Sequence, residues 1–394
     1  MNNAALVKTG AAVIMNNVGR LPVVFTRGAG SRLWDADGKE YIDFLSGISV
    51  HNFGHCHPEI TAAITKQAVE IVHVSNYFYL EEQVELARRL TQLTGYQQVY
   101  FANSGAEANE AALKLARKYG RTRLGGKYEI ICAKDSFHGR TYGALSATGQ
   151  RKYQEDFLPI VPGFKYAEYN NLQSWQAAVT DATCAIFLEL VQGEGGVNPA
   201  RPDFVAGLVE LCQKHNLLLM VDEVQTGLGR TGKFFAYEHF NFKPDLITIA
   251  KSLGGGIPCG ALLVNQKANV LTPGDHSTTV GGGALAFAAG LAVMNLLQAP
   301  GLLAEVERKG RYIQQVWQEW QAELPVVSSS RGLGLMLALE LQVPSKPVML
   351  ACLEAGLVVN AVTETALRIL PALNISQEDL DAGLRILKQV LQKF

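Results

Sequence analysis

Apolar and polar positions alternate along this chain in two different periods, and the two periods define the predicted elements. Short apolar runs indicate buried strands, and longer runs with apolar residues on one helical face indicate helices. Because the two kinds of run follow one another through the middle of the chain, we predict a mostly parallel α/β sheet with helices on both faces. The predicted strands are Val99–Ala102, Tyr128–Ala133, Cys184–Leu190, Leu217–Val221, Leu246–Ala250 and Ala261–Val264, and the predicted helices are Glu59–Val72, Glu81–Thr94, Ala106–Tyr119, Pro202–His215 and Leu285–Leu297.

The pattern changes near residue 300. Of the 38 glycines, only six lie in the last 95 residues, so the glycine-rich middle of the chain is expected to carry the binding loops. Two long helical runs, Leu302–Leu324 and Gln377–Phe394, enclose apolar strands near Leu335–Leu341 and Leu357–Asn360. This tail therefore predicts a separate α+β domain.

Composition restricts the class of protein. Apolar residues make up 48% of the 394 residues, enough for a large core, and the net charge of −1 gives no general attraction to nucleic acid or to an anionic membrane. The six cysteines are scattered, with no CxxC pair, which favours core positions in a reducing compartment. The apolar run Ala11–Met15 is too weak for a secretory signal, and no run is long enough to span a bilayer. We expect a cytoplasmic protein with neither nucleic acid nor membrane as a partner.

A lysine and an aspartate each follow a predicted buried strand. Lys251 follows Leu246–Ala250 and precedes the glycines 254–256, and Asp222 follows Leu217–Val221. A pyridoxal phosphate enzyme requires these two groups, because the amine forms a Schiff base with the cofactor and the carboxylate keeps the pyridine nitrogen protonated. The protonated ring accepts the negative charge that develops at the substrate carbon. The pair therefore predicts a pyridoxal phosphate site at the ends of the two strands.

The segment Tyr100–Asn109 runs from a strand through Ser104 and Gly105 into a helix. The free N–H groups at a helix N-terminus and the helix dipole suit a phosphate. An ordinary cap explains the same residues, with Ser104 as the N-cap and Glu107 completing a capping box. Taken alone, the cap is the better interpretation, because caps far outnumber phosphate sites.

Three further segments carry groups that such a site could use. Residues 136–140 supply an aromatic ring that could stack on a cofactor, and Arg140 could bind a carboxylate. Glu189 and Glu194 follow a strand and could pair with a substrate-binding arginine, while residues 276–283 supply hydroxyls for a phosphate. Loop packing or solvated surface acids would explain each segment separately.

The segment Gly227–Lys233 suggests a different class, a P-loop nucleotide-binding protein, because it matches G-x-x-x-x-G-K after a buried strand. The next residue is Phe234, so the hydroxyl that would bind Mg²⁺ is missing. A tight glycine loop at the edge of a pocket is the favoured interpretation.

A histidine cluster suggests a metal site. His51, His55 and His57 surround Cys56 in a turn that contains glycine and proline. No carboxylate or second Cys/His pair stands at the spacing of a metal site, so packing and hydrogen bonding within the turn are favoured.

These motifs together make the chain resemble the class III (ornithine-type) pyridoxal phosphate aminotransferases. The combination of Asp222–Gly232 with Ala250–Gly256 is highly specific, and the resemblance extends from Gly30–Lys39 to Leu367–Leu373, nearly the whole chain. Within the class, the chain is most similar to the members that act on acetylornithine. The segments that match those members are Gly54–Pro58, Asn103–Glu110 and Phe137–Arg140.

The resemblance implies an aspartate-aminotransferase-type fold (pyridoxal phosphate fold type I). Its large cofactor-binding domain would comprise residues 46–296, and a smaller α+β domain would be built from residues 1–45 and 297–394. It also implies a homodimer with shared active sites and small-molecule substrates. The expected reaction transfers the terminal amino group of acetylornithine to 2-oxoglutarate. The alternative within the class is another ω-amine donor, such as ornithine, succinylornithine or 4-aminobutyrate.

The resemblance assigns cofactor roles to individual residues. Lys251 would form the Schiff base, Asp222 would bond the pyridine nitrogen, and Gln225 would bond the ring hydroxyl. Val224 and Phe137 would pack on the two faces of the ring. Gly105 and Ala106 would bind the phosphate, which Thr279 of the partner subunit would also reach.

The resemblance also assigns four substrate-binding residues. Arg140 would bind a substrate carboxylate, and Thr278 would lie near the substrate. Glu194 would pair with Arg368 and mask that arginine until 2-oxoglutarate requires it.

Four positions depart from the usual pattern of the class. Leu190 replaces a proline, Val280 an aromatic residue, Gly283 the asparagine of an Asn-Pro pair, and Val18 a tyrosine. We expect the ring chemistry to survive these changes. Substrate preference and the packing of the loop around Thr279 are the properties they would alter.

Overall fold

A computed structural model describes all residues from Met1 to Phe394. The α-helices are α1 (Asn3–Val13), α2 (Ser46–Ser49), α3 (Pro58–Glu70), α4 (Glu81–Thr94), α5 (Gly105–Arg123), α6 (Tyr142–Ala147), α7 (Leu172–Ala178), α8 (Pro202–His215), α9 (Gly283–Leu297), α10 (Leu302–Glu323), α11 (Ser345–Glu354) and α12 (Gln377–Leu391). The strands are β1 (Phe25–Ala29), β2 (Arg32–Asp35), β3 (Glu40–Asp43), β4 (Gln98–Ala102), β5 (Glu129–Ala133), β6 (Phe164–Ala167), β7 (Thr183–Leu188), β8 (Val191–Gln192), β9 (Asn198–Pro199), β10 (Leu218–Asp222), β11 (Leu246–Ile249), β12 (Gly260–Val264), β13 (Val327–Leu333), β14 (Met336–Leu341), β15 (Leu357–Val358), β16 (Asn360–Ala361) and β17 (Ala366–Ile369). Short 3₁₀ turns cover Arg151–Tyr153, Glu155–Phe157, Ala236–Phe240 and Lys251–Gly254.

The central sheet contains seven strands in the order β4-β12-β11-β10-β7-β5-β6. The pairs from β11 to β6 are parallel, and β12 is antiparallel to both of its neighbours. Every strand except β12 therefore runs in the same direction. The prediction of a mostly parallel α/β sheet is confirmed. Because the strands share a direction, the loops after their carboxyl ends meet along one edge, where open α/β sheets bind ligands.

One of the two four-stranded sheets brings the two ends of the chain together. In this sheet, of order β1-β2-β3-β15, the C-terminal strand β15 lies parallel to β3, with Leu357 opposite Ile42. The second has the order β13-β14-β17-β16. The predicted domain boundaries remain a prediction.

Helices cover both faces of the central sheet and complete the core. On one face, α5 places Ala111, Leu115 and Tyr119 against Cys132 and other strand residues in a cluster of 18 buried side chains. The other face belongs to a cluster of 65 buried side chains, to which α9 contributes on nearly all sides because it is apolar all round. Five of the six cysteines are buried and all six are free thiols, as predicted for core positions.

No single helix combines the length and apolarity needed to cross a bilayer. The helices α9 and α10 meet those criteria only when taken together, across a bend of 74°.

Candidate active site

A cavity of about 510 Å³ lies at the edge of the sheet where the parallel strands end. Loops that follow five strands line it. The lining segments are Asn103–Ala106 after β4, Phe137–Arg140 after β5, Glu189 to Glu194 after β7, Asp222–Thr226 at β10, and Ala250–Lys251 after β11. The predicted lysine, aspartate, glycine turn, aromatic ring and arginine are thus brought into one cavity.

Lys251 lines this cavity and begins the 3₁₀ turn that follows β11. Its φ of +48° lies in the left-handed region, where a non-glycine residue is strained, and such strain is often found at functional sites. Burial lowers the pKa of the amine to about 8, against the attraction of Asp222. At pH 7 about one amine in ten is then neutral, compared with about one in three thousand at an ordinary lysine pKa. The lysine is prepared to act as a nucleophile or a base.

Asp222 ends β10 and is 4% exposed. Its Oδ2 accepts hydrogen bonds from Asn109 Nδ2 at 2.9 Å and is 2.8 Å from Nδ1 of His138. Its Oδ1 accepts a bond from the Val224 N–H at 2.9 Å. With three partners of this kind, the carboxylate is fixed in orientation.

His138 and Asn109 are functional residues that the sequence reasoning missed. The His138 ring stacks on Phe187, with 4.1 Å between ring centroids, and Asn109 lies on the inner face of α5. Their sequence signal was present, because His138 follows Phe137 and Asn109 is one turn beyond Gly105. Only the fold shows that both side chains point at the same carboxylate.

The turn between β4 and α5 is a capped helix start, as one of its two interpretations predicted, but Glu107 accepts the N–H of Asn103 at 2.6 Å rather than that of Ser104 and so does not complete the capping box. Ser104 is the N-cap, and its hydroxyl accepts the Glu107 N–H at 3.2 Å. The first backbone N–H groups of the helix, at Gly105 and Ala106, have no intrahelical acceptor, and both residues line the cavity. A Cβ at Gly105 would lie 2.7 Å from Val224, so glycine is required there.

Arg140 is an exposed guanidinium with no carboxylate partner in the chain. Its Cζ lies 3.8 Å from the centroid of the Tyr153 ring and 5.4 Å from that of Phe137. Because no acidic group neutralises it, this arginine is free to bind a carboxylate that enters the cavity.

Arg368, on β17, is fully buried, and its charge is neutralised within the chain. Its Nη1 donates to Oε1 of Glu194 at 2.7 Å and to Oε1 of Gln225 at 3.1 Å, and its Nη2 donates to Asn360 at 2.8 Å. Burial alone would raise the pKa of Glu194, but Arg368, with Lys251 and Arg140, holds it below its usual range. The structure therefore pairs the two residues that the sequence assigned to each other. It also shows Gln225, predicted to contact a cofactor hydroxyl, at the same arginine.

Glu189 is a buried acid without a cationic partner. Its two carboxylate oxygens accept the backbone N–H groups of Phe137 and Gly193, each at 3.0 Å. Burial raises the pKa of this carboxyl to about 7. The Glu189 side chain thus joins the loop that carries Phe137 to the loop that carries Glu194.

Thr278 and Thr279 lie outside the cavity of their own chain. Thr279 is exposed, and the Thr278 hydroxyl accepts a bond from Asn103 Nδ2 at 3.2 Å. Their assignment to cofactor and substrate remains a prediction that requires a second chain.

The P-loop alternative is wrong for Gly227–Lys233. This turn leads into a 3₁₀ turn rather than an α-helix, and Lys233 pairs with Glu307 at 3.3 Å. Arg230, in the middle of the turn, is buried and donates to the backbone oxygens of Leu335 and Pro371. The turn therefore joins distant segments of the fold.

The histidine cluster makes contacts within its own turn and with β3. His55 Nε2 lies 2.7 Å from Oδ2 of Asp43, and its ring centroid lies 4.7 Å from that of His51. No group of three or more His, Cys, Asp or Glu side chains is arranged to hold a metal ion.

The cavity fits pyridoxal phosphate. It brings together the Lys251 amine and a fixed carboxylate, and at the start of α5 it presents backbone N–H groups without an intrahelical acceptor, where a Cβ on Gly105 would collide with Val224. Phe137 and Val224 line the same cavity. The amine, the anion-binding turn and the carboxylate are the groups that this cofactor requires.

Comparison with known proteins gives concordant results. The sequence model of the family described as "Aminotransferase class-III" matches residues 13–391. The acetylornithine aminotransferase of Caldanaerobacter subterraneus subsp. tengcongensis is 46% identical over 97% of this chain and 98% of its own length. Among solved structures, the fold is similar to an ornithine aminotransferase from Toxoplasma gondii with partial occupancy of PLP at its active site (TM-score 0.95, 33% identity, 99% of this chain and 94% of that one). It is also similar to the acetylornithine aminotransferase of Elizabethkingia anophelis (TM-score 0.89, 31% identity, the whole of both chains).

Proposed function

The chain belongs to the class-III aminotransferase family, and from that premise we propose that it transfers the terminal amino group of N-acetylornithine to 2-oxoglutarate. The products are N-acetylglutamate semialdehyde and glutamate, a step of arginine biosynthesis. One observation carries the proposal: Lys251, Asp222, the free Arg140 and Glu194 line the same cavity, and Glu194 is paired with the fully buried Arg368.

Pyridoxal phosphate, when bound, supplies a protonated ring that accepts the electron pair released at the substrate carbon. The residues that would hold it are Gly105, Ala106, Phe137, Val224, Gln225, Asp222 and Lys251. Their contribution is to bind and orient, and Lys251 also provides the site of attachment.

Lys251 is the group that moves the proton. Transamination requires a proton to leave one carbon and return to another on the same face, and a single amine placed beside both carbons can do both steps. With a pKa of about 8, lowered by burial, the amine exchanges protons readily near neutral pH.

Asp222 would bond the ring nitrogen of the bound cofactor, and its own hydrogen bonds fix the direction in which it points. Asn109 and the Val224 N–H donate to it, and His138 Nδ1 is within hydrogen-bond distance. Because these partners come from three different elements, the carboxylate does not reorient when the substrate changes.

The two arginines allow one cavity to accept two different substrates. Arg140 is free, so it binds the α-carboxylate of the amino donor at the mouth of the cavity. Arg368 is neutralised by Glu194 at 2.7 Å, so the uncharged ω-carbon of the donor does not meet an exposed cation. When 2-oxoglutarate enters, its α-carboxylate replaces Glu194 at Arg368 and its γ-carboxylate binds Arg140.

The active enzyme is a homodimer in this proposal. Three consecutive aromatic residues, Tyr77, Phe78 and Tyr79, are 93%, 66% and 90% exposed, and they line a common depression with Ser277 and Thr278. A monomer rarely exposes such a cluster. A second copy of the chain would cover it, and the same contact would bring Thr278 and Thr279 to the neighbouring cavity.

The cysteines support a cytoplasmic location. All six are free, and five are buried in the core, as suits a reducing compartment.

A kinetic comparison of amino donors tests the proposed substrate. N-acetylornithine, ornithine and 4-aminobutyrate are each offered with saturating 2-oxoglutarate, and kcat/KM is measured. We expect N-acetylornithine to be preferred. A higher kcat/KM for either of the other donors would overturn the substrate assignment while leaving the aminotransferase class intact.

A further inference from the structure

The side chain of Asn103 bonds at both of its polar atoms to a single loop. Its Nδ2 donates to the Thr278 hydroxyl at 3.2 Å, and its Oδ1 accepts the Gly282 N–H at 3.0 Å. Its backbone N–H takes a different partner, the Glu107 carboxylate, at 2.6 Å. The backbone of Asn103 thus belongs to the turn that leads into α5, and its side chain belongs to the loop.

This loop comprises residues 275–282 and is named the donated loop. Its other end is also held by α5, because Lys114 Nζ donates to the backbone oxygen of Asp275 at 2.7 Å and Lys118 pairs with the Asp275 carboxylate. Gly281 and Gly282 have φ of 53° and 89°, a conformation that glycine adopts without strain. Such a glycine segment has little stiffness of its own, so its shape depends on these external bonds.

The donated loop does not serve the cavity of its own chain. Neither Thr278 nor Thr279 lines that cavity; Thr279 is exposed, and Thr278 lines the depression that Tyr77–Tyr79 share. Asn103 itself lines the cavity of its own chain. Asn103 therefore lines its own cavity and also holds the donated loop in place.

We propose that Asn103 is a positioning residue that shapes the donated loop for the active site of the partner subunit. The proposal rests on the shared site described under the proposed function. It predicts an effect that is unusual for a residue that lines the cavity of its own chain. Loss of its side chain should weaken cofactor binding in the other subunit more than in its own.

Hybrid dimers with a single competent lysine separate the two effects. One chain carries Lys251→Ala and the other keeps Lys251, and two affinity tags isolate the mixed dimer. Asn103→Ala is placed either on the chain with the lysine or on the chain without it. The visible absorbance of cofactor linked to lysine is titrated with pyridoxal phosphate, so only the one competent site is measured.

With Asn103→Ala on the chain that lacks the lysine, we expect the Kd for pyridoxal phosphate to rise about tenfold, since two hydrogen bonds to the loop are lost. With the same change on the chain that keeps the lysine, the Kd should stay within about twofold of the parent hybrid, because the backbone contacts of the turn persist.

Asn265→Ala is the matched control. Asn265 follows the end of β12 that lies farther from Asn103. Like Asn103, it donates through Nδ2 to a side chain, that of Asp245, and its Oδ1 accepts a backbone N–H, that of Ala268. Its loss should leave the Kd unchanged on either chain.

Two results would overturn the proposal in distinguishable ways. A third hybrid places Thr278→Ala and Thr279→Ala on the chain that lacks the lysine. If this hybrid binds cofactor weakly but Asn103→Ala has an equal or larger effect on its own chain's site, the shared site stands and the role of Asn103 is refuted. If the threonine hybrid binds like the parent, the shared site itself fails, and the proposal fails with it.

Folding is monitored by the Tm and dimer content of each hybrid. Should Asn103→Ala not assemble, Asn103→Ser replaces it, because serine is too short to reach Gly282 and Thr278 together. The same comparison between the two placements then decides the question.

Discussion

His138 and Asp222 form a buried pair in which Nδ1 of the imidazole lies 2.8 Å from Oδ2 of the carboxylate. The histidine comes from the loop after β5 and the aspartate from the end of β10, so the contact joins two strands that are not neighbours in the sheet. The Phe187 ring stacks on the imidazole and holds it in place. The orientation of the carboxylate that we propose for the ring nitrogen is thus set by the fold.

Removal of this carboxylate should slow catalysis far more than cofactor attachment. We expect Asp222→Ala to retain the lysine-linked cofactor spectrum but to lose about a hundredfold to a thousandfold in kcat, because the charge that stabilises the ring is gone. His138→Phe, which keeps the stack on Phe187, should lose about tenfold, because it affects only the orientation of Asp222. Stopped-flow measurement of each half-reaction provides the rates. Near-normal turnover of Asp222→Ala would contradict the role of this residue.

The predicted sharing of sites leads to a complementation experiment. Lys251→Ala chains and chains with Thr278→Ala and Thr279→Ala should each be inactive as homodimers. Mixed dimers should regain activity, because one site of each hybrid receives Lys251 from one chain and both threonines from the other. At most half of the wild-type activity per hybrid is expected, since the second site lacks both contributions. Hybrids that are shown to form and remain inactive would count against a shared site.

The lysine and the aspartate could be predicted from the sequence for one physical reason. Lys251 comes just after a strongly apolar strand and Asp222 ends another, and the ends of strands that share a direction meet at one edge. The glycine turn is different, because its sequence is explained by an ordinary helix cap and only the resemblance to the family assigned Gly105 to the phosphate.

Other features depend on contacts that no local pattern encodes. The roles of His138 and Asn109 arise because they face Asp222 from different elements. The strand β6 was missed because it lies at the edge of the sheet, where partial exposure removes the apolar run. A strand near Leu357 was predicted, but its pairing with β3 was missed because the two strands lie at opposite ends of the chain and share no local pattern.

Glu223 provides a test of how burial affects stability as pH changes. Burial raises the pKa of this carboxyl from its ordinary value of 4.5 to about 7. Between these values the folded chain binds a proton that the unfolded chain releases, so this group stabilises the fold at low pH. That contribution is lost as the pH rises through about 7.

Glu223→Gln should therefore gain stability relative to the wild type as pH rises from 5 to 7.5. Glutamine still offers an oxygen to the Tyr237 N–H, which Glu223 accepts at 3.0 Å, and it cannot ionise. The difference in Tm between variant and wild type is measured across this range, with the exposed Glu210→Gln as the control that should show no trend. A difference that stays constant or falls would show that Glu223 is not the buried acid described here.

We expect the pair of Glu194 and Arg368 to control which of the two substrates, the amino donor or 2-oxoglutarate, the cavity binds. Glu194→Ala leaves Arg368 with Gln225 and Asn360, which are neutral, so its positive charge faces the cavity permanently. The half-reaction with 2-oxoglutarate should be largely unchanged, because that substrate displaces Glu194 in any case. The half-reaction with N-acetylornithine should slow by about tenfold or more, since the donor's α-carboxylate now has a competing cation at the wrong end of the cavity. Reactivity toward α-amino donors such as glutamate should rise for the same reason.

Single-turnover spectra separate the half-reactions, and Glu340→Ala, which breaks the pair with Arg331 outside the cavity, serves as the control that should leave their ratio unchanged. If Glu194→Ala slows both half-reactions equally, Glu194 is a structural carboxylate and the exchange of partners at Arg368 does not control substrate choice.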